Sequence, residues 1–304
     1  MKILGVSAGR IMGNSEILLK YALKGAEAAG CEVEIIRLQD FQIKPCIGCE
    51  LCIKSKVIKG GQTVCSIPST ADQHDCYIQH VLDADGFIFA APCYNLTACG
   101  RLFDALNRQH KILSQLKEKC NERAKYAATI GVAGTDWSNF LMPLLNFCAT
   151  EHCSSNMHLV DQMLVEFVPA VGAVALEKEA LDRAFKLGEN IAKAVIADPG
   201  LDCYVGDTEE VCPICHGTYL QLRNGQLICP ASDIVGHVSE ADGKVTVTWE
   251  EGYEKSRWSA YGSKKHLDCI RAGHAKRAQG EETVKAVTAE LRDYLTPIKP
   301  APLK

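Results

Sequence analysis

The residues with the widest chemical reach in this 304-residue chain are its 16 cysteines, and spacing sorts the most telling of them into two groups. In the first, Cys46-Ile47-Gly48-Cys49-Glu50-Leu51-Cys52 sets three thiols at two-residue intervals, and Cys65 follows after twelve more residues. Thiolates spaced this way converge within one tight turn and can wrap a cuboidal iron-sulfur cluster, which a more distant cysteine closes. Cys65 is the expected fourth ligand, with Cys76 in reserve. The alternative is a zinc-bound or metal-free thiol loop that only orders the chain.

The second group is Cys212-Pro213-Ile214-Cys215, followed after thirteen residues by Cys229-Pro230-Ala231-Ser232. These read as two knuckles of a zinc ribbon or a rubredoxin-like module, with Ser232 where a fourth cysteine would stand. Serine is a poor zinc ligand. Asp233, His237 or His216 would therefore complete the site, or hydrogen bonds alone hold a metal-free loop. An incomplete thiolate set counts against a redox iron site.

Three loops add a different chemistry. After a strand-like run at residues 2–6, Ser7, Gly9, Arg10, Gly13, Asn14 and Ser15 form a turn that enters a helical pattern. Free backbone N–H groups, hydroxyls and a helix dipole there suit a phosphate. No Lys follows Gly13, and Gly9 and Gly13 do not make G-x-G-x-x-G, so this is neither a Walker loop nor the dinucleotide fingerprint. Glycine for the turn and Ser15 as helix cap is the plainer reading. The second loop, Pro92-Cys93-Tyr94-Asn95-Leu96-Thr97-Ala98-Cys99-Gly100, follows the apolar run 86–91; the third is Gly131-Val132-Ala133-Gly134-Thr135-Asp136-Trp137. For Tyr94 and Trp137 the alternative to a ligand contact is packing beneath a loop.

The elements that must position these loops alternate. Strand-like runs at 2–6, 32–38, 86–91, 126–132 and 159–167 interleave with helical patterns that begin at Ser15 and continue at 71–82, 101–117, 138–150 and 177–197. Five strands interleaved with helices predict an α/β domain, a doubly wound five-stranded parallel sheet covered on both faces. Asp198-Pro199-Gly200 stops the last helix, and beyond it come Cys-Pro pairs and short alternating strands such as 244–249. The expected division is residues 1–198, with a cysteine-rich loop at 44–66, and a smaller ribbon-like module at 199–304 whose proline-rich end, 297–302, is a loose tail.

Composition narrows the function. A hydrophobic fraction of 47%, a charged fraction of 23% and a net charge of −4 are those of an ordinary globular protein, with no field that points to nucleic acid or a membrane surface. MKILGVSAGR breaks its apolar run too soon for a signal peptide, and no apolar run is long enough to span a bilayer. A cytoplasmic location is expected, where thiols stay reduced. Seven basic residues between Lys255 and Arg277 meet only Asp268, which reads as a solvated helix face or as a surface for an acidic partner or a nicotinamide cofactor's phosphates.

Taken in order, the three loops resemble those of the flavodoxin-like NAD(P)H-dependent FMN reductases, over roughly residues 1–197. That resemblance implies that Ser7, Arg10, Asn14 and Ser15 hold the FMN phosphate at the Gly13 turn. It also implies that Pro92, Tyr94 and Asn95, with Cys93 among them, border the ring, and that Gly134 and Thr135 close its other edge. Ala8-Gly9 stands where that family usually has a proline, and Cys93 where an aliphatic residue is common, so Cys93 would alter flavin reactivity. With the Cys46–Cys52 run the resemblance sharpens to the iron-sulfur flavoproteins, which implies a 4Fe-4S cluster on Cys46, Cys49, Cys52 and Cys65. The twelve-residue gap is longer than is usual there.

The activity so implied is that of an NAD(P)H-dependent FMN oxidoreductase passing electrons, directly or through the cluster, to a small-molecule or protein acceptor. Because the flavin carries the chemistry, no general acid or base is assigned. An electron carrier or redox sensor fed by ferredoxin-like donors is the alternative, and a zinc-bearing interaction module on a flavodoxin-like base is a third. The choice between NADH and NADPH stays open. Such flavoproteins are usually homo-oligomers, so a homodimer or homotetramer is expected. Some of Trp249, Tyr253, Trp258 and Tyr261 would lie at a subunit contact or over a flavin, or else pack within the small module.

Overall fold

The computed structural model describes residues 1–108, 113–151, 156–206, 212–292 and 294–296. Packing divides the chain into two compact units, residues 1–263 and 264–304. In the first unit the strands are β1 (Lys2–Ser7), β2 (Glu32–Arg37), β3 (Gly86–Tyr94), β4 (Thr97–Ala98), β5 (Lys125–Val132) and β6 (Met157–Val165). Five of them run parallel in the order β2-β1-β3-β5-β6, and β4 folds back antiparallel on the end of β3. Leaving out β4, this is the flavodoxin order 2-1-3-4-5, with its switch point between β1 and β3. The expected doubly wound sheet is present.

The covering helices are α1 (Asn14–Ala28), the short α2 (Leu51–Ile53), α3 (His74–Asp83), α4 (Gly100–Leu106), α5 (Leu113–Glu122), α6 (Leu141–Glu151) and α7 (Lys178–Ala197). Alternation along each strand feeds two cores. Phe87 and Phe89 join residues of α3, α4 and α6 on one face, whereas Ile88 and Ala90 join α1 and α7 on the other. Removing a fully buried Phe of this kind costs about 3–5 kcal/mol. Helices α1 and α7 meet backbone to backbone: a Cβ at Gly25 would lie 2.0 Å from the Phe185 carbonyl oxygen, and one at Gly188 would lie 1.7 Å from that of Ala22. No larger side chain fits either position.

Differences from the sequence reading are local. The helix expected over 101–117 is two helices, α4 and α5, with residues 109–112 outside the described set. Strand β3 extends past Ala91 into a hairpin with β4, turned by Asn95 and Leu96, both at positive φ (52° and 69°). Residues 297–302, expected as a loose tail, also lie outside the described residues.

After α7 the chain builds an antiparallel sheet of β7 (Gln221–Arg223), β8 (Gln226–Ile228), β9 (Val235–Ala241) and β10 (Lys244–Trp249). Two of its turns, Asn224-Gly225 and Asp242-Gly243, have both central residues at positive φ, the conformation a right-twisted hairpin demands. This sheet region is tied to the parallel domain. The Trp258 ring lies 5.5 Å from that of Phe147 on α6, and the Gln162 side chain on β6 donates to the His216 carbonyl at 2.8 Å. Trp258 is therefore a packing residue between parts of one chain, Trp249 packs on the cysteine knuckles, and Tyr261 is exposed beside Lys255.

Helix α8 (Ala260–Gln279) runs from the first unit into the second, where α9 (Glu281–Leu291) follows. Lys264 and Arg271 both reach Asp268 (2.6 and 3.4 Å), and Arg277 reaches Glu281 (3.7 Å), so part of the basic stretch is engaged in local, solvent-exposed ion pairs. Among the described residues no helix is long and apolar enough to cross a membrane.

Candidate FMN pocket and cysteine sites

Three strand ends and the loop after a fourth converge on one cavity of about 240 Å³. Arg10, Gly13, Asn14 and Ser15 line it from the β1–α1 turn; Pro92, Cys93 and Tyr94 from β3; Gly134 from the end of β5. Of the remaining expected residues, Ser7 is buried at the end of β1, Asn95 occupies the hairpin turn, and Thr135 is exposed with its hydroxyl accepting from the Trp137 N–H (3.3 Å). The sequence reading missed Val168, Pro169 and Val171, which form the fourth wall after β6. Its signal was the Pro-Ala-Val-Gly segment beginning at Pro169.

The turn has the features an anion needs. Helix α1 starts at Gly13 with no side chain capping its first N–H groups, which are left to a ligand or to solvent. Ser7 Oγ is buried and has no hydrogen-bond partner. A Cβ at Gly9 would lie 2.2 Å from Ser15 Oγ, so that hydroxyl keeps its place only because residue 9 lacks a side chain. Buried Glu16 would oppose an anion, but Arg37 and Lys20 pair with it (2.9 and 3.0 Å). Burial pushes its carboxyl up, and those two hydrogen bonds outweigh that and hold it below the usual range. Asn14 has a different task from the expected one: its side-chain amide donates to the Val168 and Ala170 carbonyls (2.8 and 2.9 Å), and its oxygen accepts from the Val174 N–H (3.2 Å). It fastens the fourth wall to the phosphate-type turn.

Cys93 links two of the loops. Its thiol donates to the Trp137 carbonyl at 3.1 Å, and burial pushes its pKa up, so it stands in the pocket as a neutral thiol. Tyr94, Trp137, Phe167 and Val171, all exposed, lie in the pocket's walls or the loops around them. Phe167 adopts φ 61°, uncommon for a bulky side chain.

The larger cavity, about 970 Å³, runs along β6 and the start of α7 and shares Val168 with the first. Glu166, Glu177 and Glu179 line it against Arg183, whose charge is taken up by Asp161, so the set disfavours phosphate, and none of the β1–α1 turn reaches it. The smaller pocket is the one whose residues fit FMN.

Cys46, Cys49, Cys52 and Cys65 line a separate cavity of about 50 Å³ together with Ile47, Ile67 and Arg108; Cys76 is not part of it. Cys49 Sγ lies 2.9 Å from Ser66 Oγ, and that hydrogen bond lowers its pKa, whereas burial raises that of Cys52. Behind Cys65, at 4.0 Å, sits the Arg108 guanidinium, in a fully buried ion pair with Asp72. Burial alone would raise the Asp72 pKa, but the Lys44 N–H and Arg108 overcome it and hold it low. The neighbouring His74 is buried, with Nε2 against the Ala105 carbonyl, and burial with the Arg108 charge lowers its pKa to about 4. No three of the four loop thiols come as close as a single ion requires: among the described residues, Cys212, Cys215 and Cys229 are the one set of three such ligand groups within 4.8 Å of one another. A cuboidal cluster holds its thiolates further apart than one ion does.

Fold, pocket and donor set together define a flavodoxin-like FMN oxidoreductase. Residues 1–148 match the model of the NADPH-dependent FMN reductase family. A flavone synthase of Aspergillus candidus is 27% identical over 314 residues, spanning 93% of this chain and 92% of that protein. An iron-sulfur flavoprotein of Methanocaldococcus jannaschii is 30% identical over 122 residues, which are 39% of this chain and 58% of the relative. Among solved structures a flavone reductase superposes with a TM-score of 0.77 at 24% identity, covering 99% of this chain and all of the other, which extends the shared fold through the carboxyl-terminal part.

Proposed function

We propose that the protein transfers hydride equivalents from NAD(P)H, through FMN held in the 240 Å³ pocket, to a flat aromatic acceptor with a conjugated enone. The observation that carries the FMN site is the unpartnered Ser7 hydroxyl near a helix start that no side chain caps. FMN held there would supply the hydride chemistry between a nicotinamide and the acceptor. The chain's part is positional: the α1 N-terminus and Ser15 hold the phosphate, Arg10 adds charge, Pro92 to Asn95 border the ring, and Gly134 and Thr135 close it. Tyr94, Trp137 and Phe167, the last two 73% and 69% exposed, offer aromatic faces for a planar substrate. Support for the enone class is that the flavone synthase and flavone reductase relatives span nearly the whole chain, whereas the iron-sulfur flavoprotein relative spans 39% of it.

On this reading residues 1–198 form the redox domain, and Cys46, Cys49, Cys52 and Cys65 would hold a 4Fe-4S cluster, which would supply single-electron chemistry. The protein works as a homo-oligomer in the reducing cytoplasm. The four-cysteine cavity also favours a second reading, an electron carrier served by ferredoxin-like donors. Anaerobic NADPH and NADH consumption by the full chain, with a flavone, a chalcone, a quinone and a nitroarene supplied in turn, separates the two. Consumption stimulated most by a flavone or chalcone supports the proposal. No stimulation by any of the four, with reduction only by reduced ferredoxin, overturns it in favour of the carrier.

A further inference from the structure

The residues around the second cysteine group repeat one backbone motif twice. In the first copy the Cys212 N–H donates to the Gly217 carbonyl (3.0 Å) and the His216 N–H donates to that of Cys212 (2.8 Å). In the second the Cys229 N–H donates to the Ile234 carbonyl (3.1 Å) and the Asp233 N–H to that of Cys229 (2.8 Å). Position for position the two six-residue loops match, down to a positive φ at the fifth residue, 52° at His216 and 59° at Asp233. In this correspondence Ser232 is the counterpart of Cys215.

The four side chains meet. Cys215 Sγ is 3.5 Å from Cys229 Sγ, Cys212 Sγ is 3.5 Å from Ser232 Oγ, and the Ser232 N–H points at Cys229 Sγ (3.3 Å). A tetrahedral ion with metal–sulfur bonds of about 2.3 Å needs its ligand atoms about 3.8 Å apart, so the set is drawn in to single-ion spacing. All four are buried, none more than 2% exposed. The other oxygen and nitrogen donors considered from the sequence are engaged elsewhere: His216 stacks flat on Tyr204 at 3.6 Å, His237 pairs with Glu250, and Asp233 faces Arg257 at 3.8 Å.

Packing supplies an independent argument. Among the described residues, the buried cluster of the β7–β10 region consists of Cys212, Cys215, Cys229 and Ile234, with Ile214, Leu220, Ala231 and Trp249 half-buried against it, and Leu227 is buried on β8 outside that cluster. Three thiols and one isoleucine bury too little apolar surface to hold four short strands, and small modules of this kind gain their folding free energy from a metal.

We infer that Cys212, Cys215, Cys229 and Ser232 form a closed structural site for one zinc-class divalent ion, three thiolates and a serine oxygen, distinct from the iron site of the Cys46–Cys65 loop. Three soft ligands in a tetrahedral cage with no open position suit a d¹⁰ ion, and the absence of a fourth thiolate disfavours iron. The site pins the two knuckles together and, through the Gln162 side chain on the His216 carbonyl, fixes the small sheet to β6.

The test is zinc-edge X-ray absorption, with zinc and iron counts, on anaerobically purified full chain and on Ser232→Cys. The expected parent has about one zinc per chain with three sulfur neighbours and one oxygen. The expected Ser232→Cys protein has four sulfurs and retains its zinc against at least about tenfold more competing chelator, within the range by which supporting ligands change metal affinity. Cys49→Ala is expected to leave zinc unchanged. A parent that binds no zinc even when it is offered under reducing conditions, iron at this site, or an unchanged sulfur count in Ser232→Cys overturns the assignment.

Discussion

The two cysteine regions use the same side chain in opposite surroundings. Around residue 49 the thiols are exposed or half-buried, spread about a small cavity, and backed by the Arg108–Asp72 pair. At the knuckles the thiols are fully buried, drawn within 4.8 Å of one another, and constitute most of the core. An open, wide set near charge is suited to a cluster that must exchange electrons; a dry, narrow one is suited to an ion that holds chain segments together. Motif spacing alone ranks the two regions by cysteine number. Burial and sulfur separation show that they differ in kind.

The largest effect that tests this contrast is a double dissociation. Cys49→Ala should abolish iron and sulfide while the protein stays folded, whereas Cys215→Ala should keep iron but melt the β7–β10 sheet, read by hydrogen exchange of its amides. Equal losses in both proteins would erase the distinction. Next in size is Arg108→Met, which strands the Asp72 carboxylate in the interior; a loss of about 3–5 kcal/mol in urea unfolding is expected, together with reduced iron retention.

Protonation gives a somewhat smaller effect beside the first region. The folded-state pKa of His74, about 4, lies below its unfolded value near 6.5, so between these pH values the unfolded chain binds more protons. Its stabilising contribution is present above pH about 6.5 and is lost as pH falls toward 4, on the order of 3 kcal/mol in full. Urea midpoints across that range should fall for the parent and flatten in His74→Gln. The smallest expected effect is Ser15→Ala, with FMN affinity down about tenfold by fluorescence titration and stability altered by about 1 kcal/mol or less. An unchanged affinity would remove Ser15 from the phosphate site.

What was legible in the sequence was local. The order of strands and helices, the Ser7 to Ser15 turn and the Pro92 to Asn95 loop each follow from residues within a dozen positions. Contacts made across long separations were not legible: Asn14 is engaged with Val168 and Ala170, more than 150 residues away, and Arg108 with Asp72, 36 residues away. Asn224-Gly225 and Asp242-Gly243 are local turn signals that resolve the short alternating strands expected there, such as 244–249, into a four-stranded sheet. The match of Ser232 to Cys215 needed backbone geometry, because the residue types conceal the symmetry that the hydrogen bonds reveal.

The central claim, that this pocket holds an FMN which takes electrons from a nicotinamide and gives them to an enone, is tested most directly by an anaerobic half-reaction on the full chain. FMN-loaded protein is mixed with one equivalent of NADPH, or of NADH, while the flavin absorption band is followed; a flavone is then added. The band should bleach with one of the two nicotinamides and return when the flavone is supplied. Absence of saturable FMN binding, or a bound flavin that neither nicotinamide bleaches, would contradict it.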